Sequence, residues 1–245
     1  MRMWGWWVAA VTALVATGAA RASDVCAFAD APRVLVQSGA PHLKGSRLLQ
    51  VWEMDDAPVL WSHVEPAGYE AFRARIVARA GNTQPLHLLA QHSWTNNRIV
   101  ADHAAEWIRP VNCVQMLLQQ AQDDRIDTLA APTEFAAAVL RSPDGRRIRA
   151  YFYTINEDGI GRLAPLTEPV RADRSAGWMI LAVLHNHAFH PGNSELNGAI
   201  APSRPDAQFS MNFADTGVAE AWITNGLHTA HIPAAAFGLF ERDGP

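Results

Sequence analysis

The sequence predicts an α/β protein, with a mixed β-sheet flanked by helices over residues 110–245 and an α+β region over residues 23–109 ahead of it. Three observations lead there. Short Val-, Leu- and Trp-rich runs alternate with apolar stretches at helical spacing, the pattern of layered α/β architecture. The apolar run Trp178–Leu184 lacks period-two alternation and so reads as a central strand buried on both faces. Clusters of Pro, Gly, Asn and Asp punctuate these runs, and neither an internal repeat nor a low-complexity tract interrupts them.

The chain begins with Arg2, an almost unbroken apolar run Trp4–Ala19, and the small-x-small sequence Ala20-Arg21-Ala22. Residues 1–22 therefore read as a signal peptide, with Ser23 as the mature N-terminus. The run is nearly long enough to span a bilayer, so an uncleaved anchor is the competing reading. No later stretch approaches spanning length. The expectation is an exported protein, periplasmic or extracellular, with no membrane span in the mature chain. Processing would remove two arginines and no acid, moving the net charge from −4 to about −6. Such a surface lacks the basic footprint that nucleic acid or anionic lipid requires. The cysteines are Cys26 and Cys113. In an exported protein they read most simply as a disulfide, with two buried free thiols as the alternative.

Taken in order, Arg33–Gln37, Arg47–Trp52 and Pro58–Val64 read as strands. Tyr69, Phe72, Ile76, Val77 and Ala80 then form the stripe of a helix that Gly81-Asn82 ends. Leu86–Ala90 and Arg98–Val100 look like further strands. The histidines and tryptophans of this region have no ligand spacing and read as structural. From Pro110 the character changes. Val111, Val114, Leu117, Leu118 and Ala121 share one helical face, with glutamines mostly around it. Phe135–Leu140, Arg149–Ile155 and Trp178–Leu184 are strands, Ala207–Phe213 is helix or loop, and Val218–Thr224 with His228–Ile232 resembles a terminal hairpin.

The chemistry concentrates at the end of the buried strand. His185 and His187 are two residues apart, so on a strand both imidazoles project to one face while Asn186 faces away. Pro202-Ser203-Arg204-Pro205-Asp206 follows, a Ser-x-x-Asp pattern of the kind that opens a helix. Asp206 adds an oxygen donor, and three protein ligands with an open fourth position is the arrangement of catalytic zinc. Ser203 is read either as a helix cap or as a catalytic group. A hydrolytic base must come from another element, and Glu134, at the mouth of the strand Phe135–Leu140, fits best. On spacing alone an exposed strand-end carboxylate is the favoured reading.

A glutamate, a distant His-x-His and a Ser-x-x-Asp together resemble the JAB/MPN (JAMM) metalloproteases, with the His-Asn-His wording nearest to RadC-like members. The resemblance covers about residues 110–232 and nothing of the first region. It implies a sheet of the JAB/MPN type, with a cytidine-deaminase-like core. It also implies Zn²⁺ held by His185, His187 and Asp206, with Glu134 moving the proton of the attacking water and Ser203 contacting the oxyanion. The implied reaction is hydrolysis of a peptide or isopeptide bond, in an exported setting that of a peptide or protein substrate such as a cell-wall peptide. Two departures stand out. Ala188 occupies the place where the family usually has proline, and Ala188–Pro202 is longer than the family's connection, with His190 inside it. Some members lack a working metal site, so an inactive exported binding or scaffold protein is the alternative reading.

Overall fold

The computed structural model describes residues 25–40, 42–157, 163–189 and 197–242. The expected signal peptide lies outside the described residues, as does His190. The order of elements is β1 (Arg33–Ser38), β2 (Arg47–Asp55), α1 (Tyr69–Ala80), α2 (Pro85–Ala90), α3 (Thr95–Asp102), α4 (Ala104–Trp107) and β3 (Ile108–Pro110). There follow α5 (Cys113–Asp123), β4 (Phe135–Arg141), β5 (Arg147–Thr154), α6 (Ala164–Ser175), β6 (Met179–Asn186), α7 (Arg204–Ala214), β7 (Glu220–Thr224) and β8 (His228–Pro233).

All eight strands form one mixed sheet in the order β1-β2-β5-β4-β6-β7-β8-β3. Only β6 and β7 run parallel, and α7 lies on the connection between them. A parallel pair requires such a crossover, because a tight turn can join only antiparallel neighbours. Strands from both sides of residue 110 share the sheet: β2 pairs with β5 along its length and β3 pairs with β8.

Strand β4 explains why its sequence is unbroken Phe, Ala, Val and Leu. Ala136, Ala138 and Leu140 enter the core on one side of the sheet, whereas Phe135, Ala137 and Val139 enter the core on the other. Helices α6 and α7 contribute Leu166, Val170, Ala207 and Phe213 to the first side; α5 contributes Val114, Leu117 and Leu118 to the second. A third cluster, with Tyr69, Phe72 and Ile76 of α1 against Met116, closes over α5. That layer changes the reading of α5. Its apolar stripe faces the sheet as expected, but Gln115, Gln119 and Gln122 are buried as well. Gln115 is fully used: its side chain accepts from the Asn112 N–H and from Thr229 Oγ1 while Asn112 caps the helix in return.

Several elements differ from the sequence expectation. Pro58–Trp61 is a 3-10 turn rather than a strand, begun by a proline in its first turn and held by Trp61 Nε1 donating to Asp56 at 2.6 Å. The expected strands Leu86–Ala90 and Arg98–Val100 fall within α2 and α3. Pro85 starts α2 from the first helical turn, where its missing N–H has no partner to lose. Helix α6 has no counterpart in the sequence reading. It carries Pro169 in its interior, yet Leu166 and Val170, four residues apart, bury one side against the sheet.

Cys26 and Cys113 form a disulfide that ties the start of the described chain to the first residue of α5, across 87 residues. On the chain-entropy view a loop of that length contributes about 4 kcal/mol. Among the described residues no helix is long and apolar enough to cross a membrane.

Candidate metal centre

The site stands at the C-terminal end of β6, where ligands of parallel strands characteristically collect. A register shift between Val139 and Leu140 of β4 is what aims it. Leu140 lies opposite Ile180 and Val139 opposite Ala182, so Leu181 is an extra residue in β6. The bulge resets the alternation, so that Ile180 and Val183 face the same core, the one that also receives α7. Counting on from Val183 by twos, His185 and His187 project toward α7. Leu184 joins the core beneath α5, and Asn186 follows on that side. His187 lies just beyond the strand, with its N–H still bonded to Thr224 O of β7 at 2.8 Å.

The described ends of the Ala188–Pro202 connection meet before α7 begins. Gly198 N–H donates to Ala188 O at 3.2 Å, and Asn225 Nδ2 donates to Gly198 O at 2.8 Å. Gly198 has φ +69°, and a Cβ there would stand 2.4 Å from the Phe189 ring. Only glycine fits that closure. The chain then reaches α7, where Ser203 is the N-cap and Asp206 the third helical residue, in a reciprocal capping box. One oxygen of Asp206, Oδ2, accepts from Ser203 N–H at 2.9 Å and from Ser203 Oγ at 2.6 Å. The pattern that marks the helix start thus also fixes the carboxylate that the site uses.

Three donor atoms converge. His185 Nε2 is 3.1 Å from His187 Nε2, and Asp206 Oδ2 is 3.2 Å from the former and 3.3 Å from the latter. In a tetrahedral site with bonds of about 2.0–2.1 Å, neighbouring donors stand about 3.3 Å apart. The triangle therefore has the size of one face of such a site. His187 Nδ1 lies 2.6 Å from Ala199 O, which it meets as a donor, so Nε2 is the nitrogen that faces the cluster. A histidine ligand is commonly set in this way by a carbonyl on its far nitrogen. The donor set, two imidazole nitrogens and a carboxylate oxygen, fits a metal ion, and His185, His187 and Asp206 are buried or nearly so.

The electrostatics make the same demand for positive charge. Burial opposes charge on His187, but the bond to Asp206, the Asp206 charge and the Glu134 charge outweigh it and hold its pKa up to about 9. Burial likewise works against the Asp206 carboxylate, yet the His185 and His187 contacts press its pKa well below the usual range.

Glu134 immediately precedes β4. Ala136 pairs with His185, so Glu134 lies across from the end of β6 by continuation of that register, and it is buried. Its backbone is held on every side. Its N–H donates to Glu157 O at 2.9 Å and its carbonyl accepts from Thr154 Oγ1 at 3.0 Å. The residues to either side are gripped by Asn186, which accepts from Phe135 N–H at 2.7 Å and donates to Thr133 O at 3.1 Å. Asn186 does face away from the histidines, as the strand period predicts, but its use was not read from the sequence. The signal available was a polar side chain on the buried far face of a central strand, which must find partners. The Ala199 carbonyl left no signal at all, since a backbone acceptor has no letter.

The structure brings His185, His187 and Asp206 into mutual contact, Glu134 within electrostatic reach of His187, and Ser203 against Asp206. No protein-family model, curated protein or solved structure matches the chain.

Proposed function

We propose that the protein is an exported zinc-dependent metallohydrolase of JAB/MPN type, which cleaves a peptide or isopeptide bond with a water activated at His185, His187 and Asp206. The observation that carries this reading is the donor triangle of 3.1–3.3 Å at a strand end, with a buried glutamate beside it. The disulfide and the absence of a membrane-crossing helix among the described residues are compatible with export.

A zinc ion held there supplies a Lewis acid and a source of hydroxide at neutral pH. His187, with its Nδ1 proton on Ala199 O, presents Nε2 in one orientation, and Asp206 is held by the cap of α7. Glu134 takes the proton of the attacking water and returns it to the departing amine, the work of a general base that becomes a general acid. The Ser203 hydroxyl has one proton, and in this geometry it rests on Asp206 Oδ2. Ser203 thus orients Asp206, and an oxyanion contact requires that bond to be exchanged for one to substrate.

The test is elemental analysis of the purified mature protein followed by an amide-hydrolysis assay. One equivalent of zinc is expected, lost in His185→Ala and His187→Ala. Glu134→Gln should keep zinc and lose hydrolysis. Metal-free protein from zinc-replete medium would overturn the reading. Zinc-loaded protein that cleaves no peptide in a broad library would favour a binding role over catalysis.

A further inference from the structure

A cleft of about 690 Å³ opens beside Ser203. One wall comes from Trp94, Thr95 and Asn96 at the start of α3, the other from Ser203 and Arg204 with Glu241 near the C-terminus. These segments are distant in sequence, and the buried Asn96 amide bonds to both of the others. Asn96 Nδ2 donates to Pro202 O at 2.9 Å and to Glu241 O at 3.1 Å, while Asn96 Oδ1 accepts from Glu241 N–H at 2.8 Å. The cleft is therefore a built feature, not a gap between loose loops.

Among the described residues, Arg204 and Glu241 are the only charged side chains lining the cleft, and they pair with each other at 3.2 Å. Thr95 Oγ1 also donates to Glu241, at 2.7 Å. Against this neutral rim stands Trp94, 40% exposed although it is one of the largest apolar side chains, with the His92 ring 5.3 Å from its own. Ser203 belongs both to the cleft and to the metal centre, through its 2.6 Å bond to Asp206 Oδ2.

We propose that this cleft is the substrate subsite of the hydrolase, and that it receives an uncharged aromatic or aliphatic side chain next to the scissile amide, with Trp94 as its platform. The inference rests on the metallohydrolase reading above. Its volume lies within the range of sites that enclose small ligands, enough for one large side chain with its flanking backbone. Among the described residues the cleft offers a charged side chain no unpaired opposite charge, whereas a flat or branched apolar one would cover the exposed indole. The wall that selects it is contributed by residues 93–96, which gives the first region of the chain a part in specificity.

Capped pentapeptides acetyl-Ala-Ala-X-Ala-Ala-amide, with X as Phe, Leu, Asp or Lys, test this directly. Binding is measured by calorimetry on zinc-loaded Glu134→Gln protein, and cleavage by mass spectrometry on the wild type. The Phe and Leu peptides should bind about tenfold more tightly than the Asp and Lys peptides. Trp94→Ala should erase that preference and Trp94→Phe largely keep it, with zinc content unchanged in both. A preference that survives Trp94→Ala, or none in the parent, would overturn the subsite while leaving the hydrolase reading intact. Trp94-dependent binding with no cleavage of any peptide by the wild type would instead overturn the hydrolase reading and leave a peptide-binding cleft.

Discussion

The side-chain amide of Asn186 brackets Glu134, accepting from the N–H of the residue after it at 2.7 Å and donating to the carbonyl of the residue before it at 3.1 Å. The same residue lies between the two histidines, so one strand end carries the donor atoms on one face and the clamp for Glu134 on the other. Asn186→Ala should leave a buried N–H and a buried carbonyl unpaired, a loss of about 2–4 kcal/mol of stability. Zinc content should be retained and the turnover number should fall well beyond any change in KM. Denaturant unfolding, metal analysis and steady-state kinetics on the same preparation would check all three. Unchanged kinetics in a folded variant would mean that Glu134 needs no such clamp.

Ser203→Ala removes both the cap of α7 and a bond to Asp206 Oδ2. The lost cap should lower stability by about 1 kcal/mol. The freed carboxylate should weaken zinc affinity about 10–100-fold, the usual effect of losing a partner that orients a metal ligand. Competition with a zinc chelator of known affinity measures it, and Ser203→Thr should restore most of both losses.

Metal removal should destabilise the fold as well as silence it, because an ion that binds only the native chain adds stability by mass action. Chelation of the zinc-loaded protein should lower its thermal midpoint, and adding zinc back should restore it. Asp206→Ala should start at a lower midpoint and show no response to either treatment.

Glu220 offers an acid-sensitive contact away from the candidate centre. Its carboxylate accepts from Trp222 Nε1 at 2.6 Å and lies 3.0 Å from His231 Nδ1. The His231 bond, opposed by burial and aided by the Trp222 bond and the His231 and Arg109 charges, holds its pKa below the ordinary value. A carboxylate lowered in the folded state contributes stability that is complete above its unfolded pKa, about 4.3. That contribution is lost as pH falls through the lower folded value. Glu220→Gln should therefore cost about 1–2 kcal/mol at pH 7. It should cost progressively less below about pH 4, as read from unfolding curves at a series of pH values.

Reduction should remove the covalent tie between Cys26 and the start of α5. Cys26→Ser is expected to lose about 4 kcal/mol, and wild-type protein in strong reductant should unfold at the same denaturant concentration as the variant. Equal midpoints for the oxidised wild type and the variant would show that the tie adds nothing.

What could be read from the sequence divides along physical lines. His185, His187 and Asp206 were legible because two local rules, strand alternation and helix capping, each place a side chain without reference to the rest of the fold. Strand β4 was legible because burial on both faces leaves Phe135–Leu140 without a polar residue. Parts of α2 and α3 were read as strands because segments as short as Leu86–Ala90 and Arg98–Val100 have no period long enough to distinguish the two. Pro169 hid α6, whose evidence is the pairing of Leu166 and Val170 with the sheet rather than its own propensity. That β1 and β2 join the same sheet as β4 and β5 depends on pairing between distant residues such as Gln50 and Phe152, which no local window contains.

The carbonyl that meets His187 Nδ1 belongs to the main chain of Ala199. No exchange of one amino acid for another can delete it. A point mutation can take away a donor atom, Glu134 or the cap, but the tautomer of His187 is inherited from the path of the chain. It would be altered only by changes that move residue 199, of which a replacement of the neighbouring Gly198 is the plainest.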